Sequence, residues 1–143
     1  MSLSTTPIVG SPAVADKVDK TLARYLVCIV CSGSAGVHAA LVPDHYREAG
    51  LGLAAAFALA AVALAVAAVL LRSARRDRRV PLACVVILCG VAAAYVLSRT
   101  TGIPFLIDHP EAPDPVGLCT TAAEVVAALL LVVSLRPARK DRS

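Results

Sequence analysis

The sequence predicts an all-α protein, a transmembrane four-helix bundle with its N and C termini cytoplasmic. Three observations lead there. The 143 residues are 58% hydrophobic and only 3% aromatic, and the mean hydropathy of +0.77 lies far above that of a soluble domain. The apolar residues fall into four runs, at about 22–41, 51–71, 80–98 and 116–135, each near the roughly 20 residues that a spanning helix needs. Finally, five arginines (Arg72, Arg75, Arg76, Arg78 and Arg79) crowd the short link between the second and third runs. Guanidinium groups at that density cannot sit in hydrocarbon, so the link lies at a membrane surface. Short basic loops stay on the cytoplasmic side.

That link orients the rest. With Arg72–Arg79 inside, Lys17, Lys20, Arg24, Arg136, Arg139, Lys140 and Arg142 are inside as well, which makes twelve of the fourteen basic residues. Only Arg47 and Arg99 fall outside. Asp44, Glu48, Asp108, Glu111, Asp114 and Glu124 lie on or towards the outer face. The orientation rule counts Lys and Arg, not net charge, so the twelve-to-two split decides it. The net charge of +4 is thereby explained by anchoring residues, and no nucleic-acid partner is expected.

Residues 1–20 read as a flexible cytoplasmic tail that turns helical near Asp16–Lys20, residues 21–136 as the transmembrane domain, and 137–143 as a basic cytoplasmic tail. Lys17, Lys20 and Arg24 ahead of an apolar stretch, with Val37-His38-Ala39 loosely resembling a cleavage site, also suit a secretory signal. No soluble mature domain follows, so an uncleaved span is the expectation. The first run carries Arg24, Cys28, Cys31, Ala35 and His38 at 3,4 spacing, an inward face. Pro43 is expected to end that helix and open the next, with Asp44 and Glu48 in the second helix's favourable first turn. The second run has no polar side chain and is scaffold. Pro81 begins the third, Tyr95 and Arg99 mark its outer end, and Gly102 stops it. In the outer loop 102–115, Pro104, Pro110, Pro113 and Pro115 exclude regular helix, and the apolar 103–107 piece either lies on the bilayer or caps the bundle. Asp114 and Pro115 read as N-cap and first residue of the last helix. That helix shows Gly117, Thr120, Thr121, Glu124 and Ala128 on one inward face.

Several groups suggest chemistry. Glu124 lies ~12 Å below the outer end of its helix at 1.5 Å per residue, and an ionisable group at that depth is a functional candidate by default. The plainer reading has it pinning helices together, with Thr120 or Thr121 as partner. All three histidines are on the outer side. His38, His45 and Glu48, with His109 and Glu111 closing from the loop, form a candidate ligand set for a transition-metal cation, copper or zinc. His45 and Glu48 have the i,i+3 spacing that projects two ligands from one helical turn. Arg99 would be a counter-charge to Glu124 or a cap. The five cysteines read as small apolar residues, because Cys84 and Cys89 point in different directions and no four-thiol site can form with Cys28 and Cys31. Cys119, near the outer surface, is placed where an oxidising environment could cross-link a dimer. No phosphate-binding glycine loop or nucleophile elbow stands out, so an enzyme is not expected.

The segment His38-Ala39-Ala40-Leu41-Val42-Pro43-Asp44-His45-Tyr46-Arg47-Glu48, with Ser98-Arg99-Thr100-Thr101-Gly102-Ile103-Pro104 and Glu124, resembles small four-span integral membrane proteins of high-GC bacteria. The resemblance covers about a third of the chain. It implies the architecture, a bacterial plasma-membrane location and the choice of outer-face residues, but no reaction. The expected function is a membrane protein binding or sensing a metal cation at its outer mouth. The alternatives are a structural accessory subunit, self-associating or docked on a larger membrane complex, and a proton or ion pathway through Glu124.

Overall fold

In the computed structural model, residues 12–73, 77–103, 106 and 109–135 are described, with side chains from Asp19 onward. Four helices make up the fold: α1 Pro12–Ala49, α2 Leu51–Ser73, α3 Arg79–Thr100 and α4 Pro115–Leu135. Each packs on its neighbour in sequence, and α1 closes the ring against α4. Among the described residues, the diagonal pairs make no close backbone approach.

All four helices are long and apolar enough to cross a membrane, with mean hydropathies of 1.8, 2.7, 2.5 and 2.3 over their spanning stretches. Their outward faces carry Leu59, Val62, Val69, Val86, Leu118, Leu129 and Val133, all exposed. A continuous apolar exterior of this kind would aggregate in water and is the ordinary surface of a helix bundle in lipid. Of the arginines expected to set the topology, Arg72, Arg78 and Arg79 are exposed at one end of the bundle. Arg75 and Arg76, the tails at 1–11 and 136–143, and Asp108 lie outside the described residues.

The first helix corrects the expected turn. Pro43 does not end it; α1 continues to Ala49 as a 38-residue helix, and the chain reverses at Gly50. Proline removes one backbone hydrogen bond, but a full break at that depth would strand several more polar groups, so the helix carries the proline through. Gly50 accepts a φ of 81°, a left-handed conformation that side-chain-bearing residues resist. Its N–H donates to the Tyr46 carbonyl at 3.1 Å. Asp44 and Glu48 therefore sit in the last turns of α1, not the first turn of α2. The helix dipole disfavours anions there, and Arg47 in the same turn pairs with Asp44 at 3.4 Å.

The other ends follow the sequence. Gly102, with φ 75°, ends α3. Asp114 caps α4, its Oδ1 accepting the Gly117 N–H at 2.6 Å ahead of Pro115 in the first turn. Gly117 is required for a second reason: a Cβ there would meet the Tyr95 ring and lie 2.7 Å from an Asp114 carboxylate oxygen.

The two halves of the bundle differ. Towards the arginine end, Val27, Cys31, Leu64, Ala67, Leu71, Cys84, Leu88, Ala127 and Leu131 pack into one closed core. Towards the opposite end the helices enclose a cavity of about 680 Å³. Burial from lipid gives little hydrophobic gain, so the core stabilises by close contact. Leu131, fully buried, tests this: Leu131→Ala should cost about 2 kcal/mol, the low end for such truncations, because the void remains while the transfer term falls away. Reversible unfolding in mixed micelles measures it, and no loss would mean that the core is not close-packed.

Candidate functional site

The cavity at the open end is the candidate site. Its walls are apolar: Val37 and Leu41 from α1, Leu53, Ala56 and Ala60 from α2, Val86, Gly90 and Val91 from α3, and Ile103 and Leu106 from the outer loop. Leu106 reaches over to Gly52, so the described part of the apolar loop caps the bundle. The α2 and α3 walls include Leu59 and Val86, which are also exposed to the outside at 71% and 66%. The cavity thus has a lateral opening between these helices as well as a mouth.

His38, His45 and Glu48 line this cavity from α1, Thr120 and Thr121 line it from α4, and Arg99 and Glu111 line its rim. His109 is exposed on the loop. His38 and His45 are two turns apart on one continuous helix, ~10.5 Å along its axis. Each donates its Nδ1–H to the carbonyl four residues back, Ser34 at 2.9 Å and Leu41 at 2.8 Å. A carbonyl only accepts, so Nδ1 of each ring carries a proton and Nε2 is left for other use. Phe57 lies against both rings, stacked on His45 at 3.8 Å and tilted against His38 at 5.5 Å between centroids.

A zinc or copper centre needs three or four convergent ligands. Among the described residues, no three His, Cys, Asp or Glu side chains come together to hold an ion. The continuous α1 is one reason, since a turn at Pro43 was needed to fold His38 back onto His45. Arg99 is another. It donates to Glu111 at 2.7 Å, to the Ala112 carbonyl at 2.8 Å and to Asp114 at 2.8 Å. Glu111 is thus held by a guanidinium, and its own N–H donates to the Ser98 carbonyl. Arg99 also lies 5.0 Å from the Tyr95 ring centroid. It acts as a staple for the outer loop and is not the counter-charge of Glu124.

Glu124 is fully buried beneath the cavity floor. Its Oε1 accepts a hydrogen bond from the Ser34 hydroxyl, which is 3.4 Å from His38 Nδ1. Among the described residues, Oε2 has no partner. A chain of polar groups therefore runs from the cavity wall at His38 to Glu124 in the bundle centre. Below it, Cys31, Ala127 and Leu131 close the way.

Thr120, a candidate partner from sequence, bonds its own helix at Val116 instead. Ser34 was missed, although the signal existed: it falls between Cys31 and His38 on the inward face of α1, one turn before the histidine. Phe57 was missed because nothing in the scaffold helix α2 marks an aromatic as site-lining. The cysteines divide by environment, with Cys31 and Cys84 in the core and Cys89 and Cys119 exposed.

Removing the hydroxyl tests the chain. Ser34→Ala should destabilise by about 1–3 kcal/mol, since the buried carboxyl then loses its donor, and Glu124→Leu in the same background should recover part of that loss. Equal stabilities across the three proteins in detergent unfolding would show that the pair does not pin α1 to α4. No family model matches the chain, nor does any curated protein or solved structure.

Proposed function

We propose that the protein is a multi-pass protein of the bacterial plasma membrane that binds a cation with an apolar body. The open half of the bundle faces outward, and the termini and arginine turn lie in the cytoplasm. The observation that carries the reading is the cavity's division of labour. Its walls are aliphatic and alanine-rich, and among the described residues its rim sets three carboxylates, Glu48, Glu111 and Asp114, against one guanidinium, that of Arg99, which already holds Glu111 and Asp114. An organic cation satisfies both parts, its charge at the rim and its body between α2 and α3. A bare metal ion would use the rim and leave the apolar volume without a role.

The closed core beneath Glu124 argues against a continuous ion path through one chain. It favours capture or sensing from the outer side over conduction. Glu124, joined to the cavity through Ser34 and His38, is the group through which occupancy would be felt in the bundle centre.

The orientation is tested first. With Cys89 and Cys119 changed to serine, Arg78→Cys should react with an impermeant maleimide only after the cells are opened, and Pro110→Cys in intact cells. The reverse pattern would put the cavity on the cytoplasmic side. Binding is tested with two probes of equal size and opposite charge, tetraphenylphosphonium and tetraphenylborate. The cation should bind and the anion should not. Gly90→Leu, at a position where a Cβ meets nothing within 4 Å, should fill the cavity and weaken binding by about tenfold. Equal affinity for both ions would defeat the reading. Stoichiometric zinc or copper that disappears with His38→Ala and His45→Ala would replace it with a metal centre.

A further inference from the structure

A second concavity, of about 750 Å³, lies on the flank of α1 and α2 at the arginine end of the bundle. Two guanidinium-bearing residues share it, Arg24 from α1 and Arg72 from the last turn of α2. Thr21 and Tyr25 add hydroxyls at the same level. The Cys28 thiol donates to the Ala68 carbonyl at 3.5 Å just below, holding the two helices together at that level. From Arg24 the groove continues along α1 past Ile29 to Gly33, nine residues or ~13.5 Å deeper into the span. Ile29 is 68% exposed, and a Cβ on Gly33 would meet nothing within 4 Å.

Charge and shape together select the occupant. Two forked guanidinium groups from different helices suit a phosphate, and they stand at the end of the spans, where headgroups lie. The trough continuing below them towards mid-membrane, past the small or apolar residues Cys28, Ile29, Ser32 and Gly33, suits an acyl chain. We propose that this groove binds one anionic phospholipid of the arginine-side leaflet, its phosphate between Arg24 and Arg72 and the first part of one chain along Ile29 and Gly33. The site is separate from the cation cavity and stands or falls independently of it.

The test uses the full chain in nanodiscs of phosphatidylcholine containing a minor fraction of phosphatidylglycerol, with retained lipid counted by native mass spectrometry. One phosphatidylglycerol per chain should be retained in preference to phosphatidylcholine. Arg24→Gln with Arg72→Gln should lower that retention by about tenfold or more. Gly33→Leu, which obstructs the trough without changing charge, should lower it too and carries the test if the double variant does not fold. Inorganic phosphate should not displace the lipid. Undiminished retention in the variants, equal retention of the zwitterionic lipid, or displacement by phosphate would each overturn the proposal.

Discussion

The structure depends on the contact between Ser34 of α1 and Glu124 of α4. In a bilayer, lipid would surround the helices with a medium as apolar as their own side chains, so burying more leucine between them would be a weak reason to associate. A buried carboxyl is different, because it has no acceptable partner in hydrocarbon and must find one on another helix. The pair ties the first helix to the last and closes the ring. It also marks the level at which the bundle changes character, from filled to hollow.

Below that level the packing is conventional. Leu64, Leu71, Leu88 and Leu131, with Cys31 and Cys84 as compact apolar fillers, close the interior. Above it, alanine and glycine on α2 and α3 leave space, and the rim is tied together by charged groups. Arg99 does most of that work by gripping the loop through Glu111, Ala112 and Asp114 at once. Since Asp114 also caps α4, the same ion pair that anchors the loop fixes where the last helix begins. Loop, helix start and cavity rim are a single mechanical unit.

The long first helix has a consequence for the site. By running through Pro43 it presents His38, His45 and Glu48 as a ladder along one cavity wall, where a turn would have gathered them into a cluster. Each imidazole is fixed by its own backbone, two turns from the other, with Phe57 against both rings.

Composition and charge order alone determined the number of helices, the extent of the last three and the segments that join those three, because a bilayer admits few other arrangements of four apolar runs. The cap at Asp114, the stop at Gly102 and the inward face of α4 were also legible, since each follows from local rules acting over three or four residues. What only the tertiary structure decided was partnership. Whether Pro43 breaks a helix depends on what surrounds it, and the sequence rule for proline could not supply that. Which hydroxyl meets Glu124, and which carboxylates Arg99 takes, are questions about residues far apart in the chain, where spacing carries no information. The hollow itself is a property of packing: the same alanines would read identically in a filled bundle.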